Sequence, residues 1–202
     1  VTTLRFVALD LGTSAAGIAH THDRHGAAKL GCRTVEAPAP MAIHKRIHRV
    51  LEDVEVAVRC KPHLVVVEGT FSRPGCSDGP LHMLRGVILH WLWAHKVAYV
   101  DVAPKTLKVW ATGSGDAPKR RDKGADGVWR EGVVEAVTAT YGGLVHIATT
   151  DEADAVALLG MAADVYGQPI APVRDHRRRA LKVPKWPNLA TEAGPVVPAV
   201  TR

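Results

Sequence analysis

The run "HLVVVEG" at residues 63–69 places the tightest limit on the fold. Its apolar stretch is β-branched and does not alternate with polar residues, so it suits a central strand buried on both faces. A strand of that kind needs a layer of structure on each side, which makes the chain α/β. The run also ends on a carboxylate, Glu68. An earlier apolar run, "RFVALDLG" at 5–12, does the same at Asp10.

Around these runs the periodicities alternate. Residues 4–10, 15–22 and 27–35 read as three strands joined by turns at Gly12-Thr13 and His25-Gly26, an antiparallel meander. Ile43, Ile47, Val50, Leu51, Val54 and Val58 recur at helical spacing, with charged residues opposite. The segment 81–95, "LHMLRGVILHWLWAH", has helical length but is apolar nearly all round, so it must be covered on more than one side. A strand at 97–102 and a helix opened by Pro104 follow, the helix running to about Ala111. Residues 112–127 are Gly-rich and charged and read as a long loop. A helix is expected from Val128 to Tyr141, and Thr149 with Glu152 forms a capping-box pattern for a last helix over 150–165. Beyond Gln168 the chain turns Pro- and Arg-rich, which divides it into a folded domain over 1–168 and a basic tail over 169–202 that is not core.

The bulk properties narrow the function. With 202 residues and 47% hydrophobic content, the chain is long enough for one sizeable core. Its formal charge of +6, before the 11 histidines are counted, favours a polyanionic partner. Cys32, Cys60 and Cys76 form no C-x-x-C pair and read as reduced thiols of a cytoplasmic protein. No apolar stretch reaches membrane-spanning length, so no membrane partner is expected. His20, His22 and His25 invite a zinc reading, but no cysteine pair or fourth ligand accompanies them.

The chemistry concentrates in four carboxylates. Asp10 and Glu68 end apolar strands, and the last helix opens with "DEAD", which places Asp151 and Asp154 on one face. If the two strands are neighbours, the four acids can converge. Clustered carboxylates repel one another and are stable mainly around a cation. An all-oxygen set suits a hard ion, Mg²⁺ or Mn²⁺. Taken singly, each acid is as well explained as a helix or turn cap; the joint placement is what speaks for a metal.

"ALDLGTSAAGIA", "VVVEGTF" and "TTDEADAVALL", in this order, resemble the RuvC-type Holliday junction resolvases of the RNase H-like nuclease superfamily over roughly residues 4–165. The resemblance implies an RNase H-like fold, with a mixed central sheet of three antiparallel strands followed by parallel strands, flanked by helices. It implies two divalent ions per site on Asp10, Glu68, Asp151 and Asp154, and paired hydrolysis of a four-way DNA junction to give 5′-phosphate nicks. By spacing, Lys108 and Lys119 match two functional lysines, Lys119 in the catalytic set. Phe71 matches an aromatic that stacks on bases. Lys105, Arg120 and Arg121 belong to the same basic, DNA-facing stretch. "LRGV" at 84–87 falls on the family's dimer helix, which implies a homodimer through 81–95, with Ile88 and Leu92 expected in the contact. Other readings stay open: a related nuclease acting on flaps, forks or RNA–DNA hybrids, and a catalytically idle protein that binds branched DNA. "DLGTSAAG" also resembles the phosphate loop of actin-like ATPases, but those need two such domains.

Overall fold

A computed structural model describes residues 3–23, 25–70, 79–120, 122–123, 129–130 and 132–189. The first three strands, β1 (Phe6–Leu11), β2 (Ala15–His22) and β3 (Ala28–Glu36), form the antiparallel meander. Helix α1 (Ile43–Val58) leads to β4 (Leu64–Glu68), which lies parallel to β1. Helix α2 (Gly79–Ala94) leads to β5 (Tyr99–Val102), parallel to β4. The sheet order is β3-β2-β1-β4-β5, so the unalternating run does take an interior position. Helices α3 (Pro104–Thr112), α4 (Val133–Tyr141), α5 (Thr150–Val165) and α6 (Asp175–Ala180) complete the chain. A small ribbon of β6 (Asp122–Lys123) and β7 (Trp129–Arg130) stands apart from the sheet. Among the described residues no helix is long and apolar enough to cross a membrane, and Cys32 and Cys60 are free thiols.

Strand pleating sorts the core into two layers. Val7, Leu9, Val65 and Val67 point to the face covered by α1 and α2. Phe6, Ala8, Leu64 and Val66 point to the face covered by α3, α4 and α5. Continuing the alternation puts Asp10 and Glu68 together on the α5 side. Parallel pairing of Leu9 with Val67 brings the two acids to adjacent strand ends.

Helix α5 is the element buried all round, from Glu152 to Ala163. It is rich in Ala and carries Gly160 against Trp110 and Tyr141, so it fits between the sheet and α3/α4. Its start crosses a row of the sheet in which Asp10 faces Gly17, and Gly17 faces Thr34. A Cβ at Gly17 would lie 2.0 Å from the Asp151 carbonyl oxygen, so only glycine admits this contact. The hydroxyls of Thr34 and Thr149 are 2.6 Å apart, and Thr34 also donates to Glu152 Oε1.

Three expectations need correction. Helix α4 starts at Val133, not Val128, and the loop expected over 112–127 contains β6. The reason is local: the first amides of α4, Val133 and Val134, donate to the carbonyls of Pro118 and Lys119, so the helix begins where that segment crosses it. Next, Ile88 and Leu92 are fully buried in the core against α1 and the sheet, and the outward stripe of α2 holds Met83, Val87 and Trp93 instead. Finally, residues 169–189 are not a loose tail. Arg177 is 1% exposed, with its guanidinium 4.3 Å from the Trp110 ring centre and Nη2 donating to Thr140 Oγ1. Ala180 joins the core, and Leu181, Trp186 and Leu189 pack against it. Composition misleads here because an arginine stacked on an indole buries readily.

The Gly17 contact yields a first prediction. Gly17→Ala should lower stability by about 1–3 kcal/mol, because α5 must move off the sheet to admit a methyl group. Urea unfolding of the variant and the wild type measures this; an unchanged midpoint would show that α5 does not depend on the contact.

Candidate active site

The acids meet at the C-terminal ends of β1 and β4, below the start of α5. Asp10 is 5% exposed and Asp154 4%. Burial, with a hydrogen bond to Glu68 and the Glu68 charge, pushes the Asp10 carboxyl well above its usual range. Glu68 is also raised, by burial first, and feels Asp154. Burial and then the Asp10 charge push Asp154 up to about 6, although Lys119 works against them. Asp151 adds negative potential to both Asp10 and Asp154; its Oδ1 accepts from the Thr150 hydroxyl. Three carboxyls that hold protons this tightly are short of positive charge.

Lys119 supplies part of it. Its Nζ lies 3.1 Å from Asp154 Oδ2, with the lysine side chain half-exposed. Burial alone would lower this ammonium, but Asp154, Asp10 and Glu68 together outweigh that and raise it. The lysine is held from behind. Val134 N–H binds its carbonyl, and the neighbouring Arg120 backbone lies 2.3 Å from where a Gly132 Cβ would stand.

A cleft of about 250 Å³ opens onto this cluster, lined by Glu68, Asp154, Lys119, Lys108, Arg85 and Thr70 among others. Lys108 reaches it from α3, one turn after Pro104 and beside Leu107, and lowers the Glu68 carboxyl. Lys105 points elsewhere, into a cavity shared with Arg179 on the far side of α3. Arg120 is exposed and does not line the cleft. Phe71 and Arg121, like Cys76, lie outside the described residues. The structure therefore brings together Asp10, Glu68, Asp151, Asp154, Lys108 and Lys119, and separates Lys105 from them.

Two contributors were not singled out in the sequence as parts of the site. Gly17 lets α5 deliver its acids, and its signal is only its place opposite Asp10. Arg85 turns inward from α2 to ion-pair with Asp101 and line the cleft, and its Nη1 is buried without a hydrogen bond among the described residues. The "LRGV" motif therefore sends its arginine to the cleft, away from the outward stripe.

The donor chemistry fits a hard divalent ion, since it is all carboxylate oxygen on fixed elements. Among the described residues no three acids or histidines stand as a finished ligand set. The Lys119 ammonium beside Asp154 offsets part of the cluster's negative charge.

The mixed order β3-β2-β1-β4-β5, with acids at the ends of β1 and β4 and at the start of α5, is the RNase H-like fold. No protein-family model matches the chain. A crossover junction endodeoxyribonuclease RuvC of Gloeobacter violaceus is 28% identical over 158 residues, covering 77% of this chain and 85% of that protein. A Thermus thermophilus RuvC structure superposes with a TM-score of 0.57 at 20% identity, over 82% of this chain and 98% of that one. A Thermus thermophilus RuvC in complex with a Holliday junction substrate gives a TM-score of 0.59 at 17% identity over the same shares. The chain thus shares the RNase H-like fold of these RuvC structures and is distantly similar in sequence to RuvC proteins over most of its length.

The raised carboxyls make stability depend on pH with a definite sign. Asp154 binds its proton more tightly folded, at about 6, than at its ordinary 3.8. Its contribution is present in full below that ordinary value and is lost as pH rises through 6. Asp10 and Glu68 act in the same direction. The metal-free protein should therefore lose thermal stability across this window. Mg²⁺ should raise the melting temperature at pH 8 and do little at pH 4. Asp10→Asn should remove the Mg²⁺ effect and shrink the pH effect without abolishing it, since burial still raises Asp154 and Glu68. A melting curve of the variant that still responds to Mg²⁺ would dismiss the site.

Proposed function

We propose that the chain is a divalent-metal-dependent endonuclease that cuts four-way DNA junctions by paired phosphodiester hydrolysis, leaving 5′-phosphate nicks. One observation carries the reading: a proton-hungry acid cluster, flanked by Lys119, Lys108 and Arg85, lies where an RNase H-like sheet meets α5, in a chain with RuvC relatives. A bound Mg²⁺ or Mn²⁺ pair would supply a water acidic enough to attack and a stabiliser for the leaving oxygen. The chain's own part is positional. Asp10, Glu68, Asp151 and Asp154 would hold the ions, with β1, β4 and α5 keeping them rigid. Lys119, freed from Asp154 once the acids have other partners, and Lys108 across the cleft neutralise a phosphate entering between them. Arg85 lines the same cleft from α2 and adds positive charge to it.

The reading includes a dimer. Met83 is 55% exposed and Trp93 52%, and Val87 lies on the same side of α2. Gly86 lies among them with open space where its Cβ would be. An apolar stripe with a small residue at its centre suits close pairing with a second α2 about a two-fold axis. Two sites related by that axis suit two cuts in a symmetric junction.

The test is incubation with Mg²⁺ and synthetic junctions, flaps, forks and plain duplex, with the cuts mapped. Symmetric paired nicks in the junction are expected. Asp10→Asn and Glu68→Gln should abolish them while leaving junction binding, and Lys119→Met should slow them by about 10²-fold or more. Cutting confined to flaps or forks would move the protein to the related nucleases.

The stripe has its own check. Val87→Asp should give a folded monomer, because a charge at a desolvated apolar contact lacks a partner. Ile88→Asp, a core change, should unfold the chain. Sedimentation and circular dichroism separate the two outcomes, and a wild-type monomer at micromolar concentration would rule the dimer out.

A further inference from the structure

Helix α6 does more than close the core. Arg177 and Ala180 point inward, while Arg178, Arg179 and Lys182 are exposed, as is Lys185 just beyond. Arg179 lines a cavity with Lys105, Thr106, Val109 and Val183. Lys185 lines an adjoining one that shares Thr106 and Val183. Among the described residues the only carboxylate lining either cavity is Asp101, which Arg85 already engages from the cleft side. Asp175 is the one acid on α6 itself, at its first position. Among the described residues no ion pair engages Lys105, Arg178, Arg179, Lys182 or Lys185.

We propose that Lys105, Arg179, Lys182 and Lys185 form a phosphate-binding strip that grips a duplex arm of the DNA leaving the cleft. The proposal rests on the branched-DNA reading given above. Helix α3 stands between the two surfaces, with Lys108 lining the cleft and Lys105 the strip. Lys105 and Lys108 stand three residues apart on α3, neighbours on the helix surface, so the strip adjoins the cleft and meets phosphates a few steps from the cut. The strip is also pre-ordered, because α6 is fastened through Arg177 on Trp110, and the chain after it through Trp186 Nε1 donating to the Leu181 carbonyl. Side chains on a fastened helix lose less freedom on binding than the same charges on a loose arm. An acidic protein would satisfy the same charges, but α3 joins this surface directly to the cleft, which favours the substrate that the cleft takes.

The test is a binding cycle on the full chain with a long-armed four-way junction, without Mg²⁺, so that no cut is needed. The triple variant Arg179→Ala, Lys182→Ala, Lys185→Ala should melt like the wild type, because its three side chains are exposed. Its affinity should fall less steeply with salt, the log–log slope shrinking by about 2 to 3. A junction with neutral methylphosphonates a few steps from the cut should weaken the wild type and leave the variant little changed. An unchanged slope overturns the proposal, and so does an equal loss wherever the neutral patch is placed. Loss of polyglutamate binding with junction binding intact would assign the strip to an acidic protein partner and overturn it as well. A wild type that binds junctions with this strip but cuts nothing under Mg²⁺ would sustain the strip and end the nuclease reading.

Discussion

Everything in the site depends on how closely α5 approaches the sheet. The Asp151 carbonyl rests where a side chain on residue 17 would begin. That contact lets one row across the sheet, Thr34, Gly17 and Asp10, run directly under the start of the helix. Thr34 binds the helix cap at one end of the row. At the other end, acids from a helix and from two strands come near enough to disturb one another's protonation. A wider gap would turn the same four residues into ordinary caps.

The charge problem this creates explains much of the surrounding architecture. Carboxyls buried side by side are unstable without a counterweight. Part of that counterweight is one half-exposed lysine, Lys119, beside Asp154. Lys119 is fixed through its backbone, while its half-exposed side chain holds Asp154, a combination suited to a group that changes partners. The segment carrying it is pinned because its carbonyls stand in for a side-chain cap on α4, which has none. Function and helix capping share one stretch of chain there.

The sequence made the acids legible because each stands at the end of a run whose period is unmistakable, and the cap at Thr149 is as expected. The common face of Asp10 and Glu68 was implicit in the two-residue repeat. What stayed hidden were features that depend on partners distant in the chain. Arg85 lies on an apolar helix, and only the presence of Asp101 across the fold turns it inward. Ile88 and Leu92 read as an outer face because α2 is apolar on two sides and the sequence does not say which side meets α1. The stretch after Gln168 looked like solvent-exposed tail by its prolines and arginines. Its role in the core turns on one of the three arginines of α6 meeting an indole 67 residues earlier, a pairing that composition cannot register.

The start of α5 carries a further consequence through Glu152. Its carboxylate accepts the Ala148 amide at 2.7 Å and the Thr34 hydroxyl, while its own amide donates to Thr149. One acid therefore answers both the open amides and the positive end of the helix. Asp154, two residues further on, is left with no such duty. Within the four letters "DEAD", the glutamate serves the backbone, and the last aspartate faces the cleft. Helix stability and the charge of the site can then change independently, so the acids that face the cleft can be altered without the helix losing its beginning.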